Sequence, residues 1–257
     1  MPRAFTRAVS PKLSKCELTH LDRVPIDAAK AAEQHDAYEA ALREAGYRVI
    51  RLPELPDHPD GAFVEDTALI LDGHAVILRP GAASRASETS STAAGLEDHF
   101  VLNRVSDGHV DGGDVLRIGH TLYVGLSTRT DGAGIAALRD LVRPIGFEVV
   151  QAELANCLHL KTGATPAGRD RYGNLVLLYN RNSIDPAQFN DVVPIAVDDR
   201  EPAAANCLWL GDRLILPAGN PRTAERLRSR GFQVVEVDVS ELQKAEAGVT
   251  CMSLIAD

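Results

Sequence analysis

Basic residues are in deficit. With 27 Lys and Arg against 36 Asp and Glu, the 257-residue chain carries a formal charge of −9. A surface of that sign lacks the footprint that nucleic-acid phosphates require. Long apolar runs are missing too: the longest, residues 175–179 and 214–217, fall far short of a membrane span. The first five residues lack the apolar core of a secretory signal. Cysteine is scarce, and positions 16, 157, 207 and 251 contain no C-x-x-C pair, which argues against a structural zinc site and a disulfide scaffold. Reduced thiols in the cytoplasm are the expectation. The pair Gly132 and Gly134 before a helix lacks the third glycine and the downstream acid of a dinucleotide fingerprint. What remains is an ordinary globular composition, 45% hydrophobic and 25% charged, on a chain long enough to bury a substantial core.

Two series of recurring features run along that chain. In the first, a helix gives way to a glycine, an aromatic residue and a strand: Gly46-Tyr47, Gly146-Phe147 and Gly231-Phe232. The helix before Gly46, residues 26–45, is Ala-rich, and Ala29, Ala32, Tyr38, Ala41 and Leu42 fall on a compatible face. A glycine after it suits a left-handed cap. The second series consists of hairpins. Asp66 precedes an apolar run, a turn at Asp72-Gly73 and a return run; Asp114 and Asn206 precede similar pairs with turns at Gly119-His120 and Gly211-Asp212. A fourth begins near Leu160 and returns at residues 175–179, and a fifth begins at Cys251.

The polar or reactive starts thus recur every 45 to 48 residues, within the range of repeat architectures. The fifth hairpin needs a return strand, and residues 5–9 can supply it, closing the set into a ring. The expected fold is a single α/β domain over residues 1–257, with five strand-strand-helix-strand units around a pseudo-fivefold axis. An open α/β sheet with accidental spacing is the alternative. In the ring, the strand starts converge at the axis.

Those starts carry the chemistry. His159 is the one histidine of eight set in an apolar strand start, between Leu158 and Leu160. It holds the place in its repeat that Cys251 holds in the last. Asp111 and Asp114 flank a Gly-Gly bend, and an acid beside a histidine orients it and favours its charged form. Asp60, Glu65 and Asp66 crowd against an apolar strand, which is costly unless a cation meets them. That cation is either an arginine such as Arg85 or a cationic substrate group. Arg85 and Arg129 follow the first and second hairpins at matching places, and paired arginines suit a carboxylate. Acids for a cation and arginines for a carboxylate suit a guanidino amino acid. A thiol would attack its guanidinium carbon while an imidazole protonates the departing amine. A cysteine peptidase shares the Cys-His pair, but acids at the site would oppose its oxyanion.

Several segments resemble the dimethylarginine dimethylaminohydrolase family. They are Phe63-Val64-Glu65-Asp66, Arg79-Pro80-Gly81-Ala82 with Ser84-Arg85, Asp111-Gly112-Gly113-Asp114, and Gly125-Leu126-Ser127-Thr128-Arg129-Thr130. Leu158-His159-Leu160-Lys161, Ala205-Asn206-Cys207 and Gly248-Val249-Thr250-Cys251-Met252-Ser253 complete the series. The resemblance implies the pentein fold and hydrolysis of methylated arginine to citrulline and methylamines, with no metal or organic cofactor. It implies Cys251 as nucleophile, His159 as proton donor and Asp111 as its acid. It also implies substrate contacts from Asp60, Glu65, Asp66, Arg85 and Arg129, a lid residue at Leu18, and a main-chain carbonyl at Ala245. The partner is then a small guanidino amino acid rather than nucleic acid or membrane, and the protein a monomer or homodimer. Arginine deiminases share this fold, but their motifs read Phe-x-Arg-Asp and His-x-Asp where this chain has Glu65 and Lys161; arginine or citrulline hydrolysis is the second activity considered. A non-catalytic pentein binding module is the third reading, and the retained Cys251, His159 and Asp111 speak against it.

Overall fold

In the computed structural model, which describes residues 1–256, the short apolar runs become strands of three to six residues. The chain opens with β1 (Arg3–Thr6), and helix α1 (Ala28–Glu44) leads to β2 (Arg48–Arg51). The second unit is the hairpin β3 (Ala68–Leu71) and β4 (His74–Ile77), followed by α2 (Glu88–Leu96) and β5 (Val101–Arg104). The third repeats the scheme with β6 (Val115–Ile118), β7 (Thr121–Gly125), α3 (Gly132–Val142) and β8 (Glu148–Ala152). The short helix α4 (Leu160–Gly163) introduces β9 (Ala164–Arg169), β10 (Leu175–Tyr179) and β11 (Val193–Ala196). The fifth unit holds β12 (Leu208–Leu210), β13 (Arg213–Pro217), α5 (Pro221–Ser229) and β14 (Gln233–Val237). A turn of helix, α6 (Ser240–Gln243), then leads to β15 (Leu254–Ala256).

Five three-stranded sheets result, ordered β15-β1-β2, β3-β4-β5, β6-β7-β8, β9-β10-β11 and β12-β13-β14. In each, the middle strand is antiparallel to the first and parallel to the third. A parallel neighbour needs a crossover, and α1, α2, α3 and α5 supply four of them. The expected closure holds: β1 pairs with β15 in the register Arg3–Ala256, Ala4–Ile255, Phe5–Leu254. The expected glycine junctions hold as well. Gly46, Gly146 and Gly231 have φ of 86°, 90° and 97°, a region closed to most side chains, so each helix stops where its strand must begin.

Four local differences have physical causes. The fourth crossover contains no long helix, only a 3-10 turn at Pro186–Gln188, because Asp185 and Pro186 favour a turn over continued helix. The strand expected near Leu160 starts at Ala164, after the helical turn that His159 caps. The first strand ends at Thr6 instead of Val9 because Arg7 is drawn inward. Its buried guanidinium donates to the carbonyls of Pro53 and Gly61 and to Thr92 Oγ1. The α1 helix starts at Ala28 because Asp27 caps it, accepting from the N–H groups of Ala29 and Lys30.

The core is divided among five junctions instead of one centre. Phe5, Ala75, Ile77 and Leu254 join the first and second sheets, and Leu69, Val76, Val124 and Val149 join the second and third. Leu116, Tyr123, Leu177 and Ala164 join the third and fourth. Val176, Leu178, Leu214 and Leu216 join the fourth and fifth, and Ala4, Tyr38, Ile215 and Met252 bring the fifth back to the first. The first strands of the sheets, β3, β6, β9, β12 and β15, line an axial channel. The expected pseudo-fivefold ring, the pentein propeller, is the fold.

Candidate functional site

Each axial strand is preceded by a tight turn, and the turns meet at one end of the channel. Glu65 and Asp66 lie in the 3-10 turn Val64–Thr67, Asp114 in Gly112–Asp114, and His159 caps α4. Cys251 sits in the turn before β15, where its carbonyl accepts from the N–H of Glu65 at 3.1 Å. Equivalent places in the repeats thereby become neighbours in space. Asp60, Asp66, Arg85, Arg129, His159, Ala245 and Cys251 all line one cleft.

The imidazole has a fixed setting. His159 Nε2 lies 3.0 Å from Asp111 Oδ2, and both residues are buried. Asp111 is oriented in turn by the Gly81 N–H, which donates to its other oxygen at 2.8 Å. The ring rests on Gly113, where an added Cβ would come within 2.6 Å of His159 Nδ1. Only glycine permits that approach. Burial works against the imidazolium, but the charge of Asp66, the hydrogen bond to Asp111 and the charge of Asp114 outweigh it and raise the His159 pKa to about 9. The ring is therefore protonated at neutral pH. Asp66 responds in kind: burial pushes it up, while His159 and Arg85 pull harder and hold it below the usual carboxylate range.

The thiol also keeps its proton, but without charge. Burial, then the charges of Glu65 and Asp66, push Cys251 well above its ordinary value, against a Gly248 N–H that donates to Sγ at 3.3 Å. It rests as a neutral thiol in the same cleft as the charged imidazole. Burial likewise raises Glu65, with Lys161 opposing, and raises Asp60 to about 6, with Arg85 opposing.

The remaining residues named from sequence fall around this centre. Glu65 stands behind the Cys251 turn, accepting from Lys161 Nζ and from Thr250 Oγ1 at 2.8 Å. Leu18 is half-buried and packs in the same apolar cluster as Cys251. Asp60 accepts from the Glu17 N–H at 3.1 Å. The two arginines differ in setting. Arg85 is buried and donates to Asp66, to Glu88 Oε2 at 2.9 Å and to the Phe63 carbonyl at 2.8 Å. Arg129 reaches Thr19 Oγ1 at 2.9 Å and passes 4.0 Å from Asp111 Oδ2. Asp114, expected near the axis, is tied up by Ser127, Thr130 and the Leu160 N–H. It braces the loop that carries Arg129.

Sequence reasoning left out the braces. Lys161, Thr250 and Asn206 form a chain in which Asn206 accepts from the Thr250 N–H at 3.1 Å and donates to the Lys161 carbonyl at 3.1 Å. The signal for Lys161 was present: a buried glutamate before an apolar strand demands a cation, and Lys161 lies two residues past His159. Glu88, which shares Arg85 with Asp66, carries no such signal.

No family model matches the chain. Curated relatives do. A dimethylarginine dimethylaminohydrolase of Streptomyces coelicolor is 38% identical, over 98% of this chain and 96% of its own length. Among solved structures, the Pseudomonas aeruginosa enzyme of that name, as a cysteine-to-serine mutant complexed with citrulline, superposes with a TM-score of 0.91 at 34% identity and 98% coverage of both chains. A dimethylarginine dimethylaminohydrolase adduct with S-methyl-L-thiocitrulline gives 0.90 at 34% identity, covering 99% of this chain and 100% of the other. With a cysteine, a charged histidine and its acid at the pole of the same five-unit ring, the chain belongs to the dimethylarginine dimethylaminohydrolase family.

Proposed function

We propose that this chain hydrolyses Nω-methylated L-arginine to L-citrulline and a methylamine through a covalent cysteine intermediate. The observation that carries it is the pairing of a neutral thiol with a protonated, Asp111-held imidazole in one acid-lined cleft. A guanidinium entering beside Asp66 brings positive charge to Cys251. That charge favours the thiolate, whose proton passes to water. Sγ bonds to the guanidinium carbon, and His159 gives its proton to the nitrogen of the departing methylamine as the C–N bond breaks. A thiouronium remains. Water then loses a proton to the neutral His159 and attacks the same carbon. The C–S bond breaks, the thiolate is restored, the remaining hydroxyl proton passes to water, and citrulline leaves.

In this reading Asp66 holds the guanidinium, with Glu65 keeping the nucleophile turn in place. Arg85 and Arg129 supply the positive wall for the substrate carboxylate, Asp60 and the Ala245 carbonyl receive its amino group, and Leu18 covers the cleft. Side chains and water serve every step. We further propose one catalytic domain over residues 1–257, of which Asp257 lies outside the described residues, working as a monomer or homodimer in the cytoplasm with free thiols. All four cysteines are unbridged, and no helix among the described residues is long and apolar enough to cross a membrane.

The test is a substrate panel without added metal: asymmetric dimethylarginine, monomethylarginine, arginine and citrulline. Citrulline and dimethylamine should form from the first, and Cys251→Ser should lose turnover by about 10³-fold or more while its thermal transition stays in place. Equal turnover by Cys251→Ser, or activity on arginine alone, overturns the reading.

A further inference from the structure

The loop that bears Leu18 is exposed, yet three successive N–H groups in it share one carboxylate. The Thr19 N–H donates to Glu246 Oε2 at 2.9 Å, and those of His20 and Leu21 donate to Oε1 at 2.5 and 2.6 Å. Consecutive amides turned toward one point make an anion-binding concavity, and here the anion comes from 225 to 227 residues away in the chain.

A second observation concerns the backbone of Glu246 itself. It stands just past α6 with φ of 58°, and its N–H and that of Ala247 bond back to the carbonyls of Gln243 and Leu242. That is the left-handed stop of a helix, a position that glycine or asparagine ordinarily fills. A glutamate there is unfavourable for the backbone, so its side chain carries the reason for its presence. The third observation is position. Glu246 lines the cleft and follows Ala245 directly, while Glu17 at the other end of the loop is held by Asp60 and Thr19 by Arg129.

We infer that Glu246 is a positioning residue for the lid: its carboxylate captures the amides of Thr19, His20 and Leu21 and so holds Leu18 over the substrate. The part of this that concerns turnover rests on the methylarginine reading. Residue 246 takes no part in bond making. It sets how completely the loop excludes water and how long the substrate stays.

Two variants test it. Glu246→Gly removes the carboxylate and suits the left-handed backbone, so folding is not weakened. Glu246→Gln keeps one acceptor oxygen and loses the charge. Hydrogen exchange read by mass spectrometry should show peptides covering residues 17–23 exchanging at least about tenfold faster in the glycine variant, with the glutamine variant intermediate and α1 unchanged. On dimethylarginine, KM should rise about tenfold in Glu246→Gly with a smaller change in kcat. Unaltered exchange at residues 17–23 overturns the latch. So does a loss of kcat at constant KM. If the wild-type protein does not turn over methylarginine at all, the functional reading fails, and the exchange experiment still decides the latch.

Discussion

At the scale of single residues, the site depends on two groups in one cleft that both hold their protons at neutral pH, one charged and one neutral. The imidazolium of His159 is the proton donor for the leaving amine, and with its pKa raised to about 9 it keeps that proton through the neutral range. The sign follows directly: a raised histidine is fully protonated below its folded value and loses the proton above it. Turnover should therefore fall above about pH 9, and a kcat still level at about pH 10.5 would remove His159 from the donor role. Gly113 makes a sharper test, since a methyl group there meets the ring at 2.6 Å. Gly113→Ala should displace the imidazole from Asp111 and lower kcat by about 10²-fold, the effect of a displacement near 1 Å, with little loss of folding. The pH limb should move down as well, because the bond to Asp111 is among the forces that raise the pKa.

At the scale of elements, the turns ahead of the axial strands matter more than the strands. Glu65 belongs to the second unit, Lys161 to the fourth and Thr250 to the nucleophile turn, and one carboxylate joins all three. Lys161→Met keeps the stem and removes the charge, leaving Glu65 buried beside Asp66 without its cation. The expected cost is about 3 kcal/mol at neutral pH, as for a broken buried pair, read from denaturant unfolding. Glu65 would then bind a proton more readily in the folded than in the unfolded chain. The cost should accordingly shrink as the pH falls toward 5, and a pH-independent loss would point to packing alone. The elements were largely legible beforehand because turn glycines and apolar runs are local signals. Gly46, Gly146 and Gly231 announced their left-handed caps. The fourth unit was harder to place, since the turn of α4 between His159 and Ala164 is too short to show any periodicity.

At the scale of the whole molecule, the ring was readable from the equal spacing of polar starts, and the pole of the ring from what those starts carry. Cys251, His159 and Asp111 could be brought together on paper because repeats place equivalent residues side by side. Partners drawn from outside the repeat were not visible. Glu88 sharing Arg85 with Asp66, and Glu246 reaching the loop at Thr19, are contacts between side chains whose meeting depends on packing, and no spacing rule encodes them. Family motifs named Arg85 and Arg129 alike. Only the folded structure separates a guanidinium enclosed by two carboxylates from one that looks onto the lid.

The pairing of β1 with β15 has a consequence in time. Strand β1 leaves the ribosome ahead of the other strands of the ring, and its antiparallel partner at residues 254–256 is made some 250 residues later. Until then β1 has an open edge, and the junction of Phe5 with Leu254 has only one side. His159 and Asp111 are already made, but the thiol arrives with the strand that shuts the ring. Ring closure and delivery of the nucleophile thus fall in the same step. A chain stopped short of residue 251 lacks the nucleophile altogether, and one stopped between residues 251 and 254 has a cysteine with no closed fold to aim it. No reactive half-enzyme is built along the way.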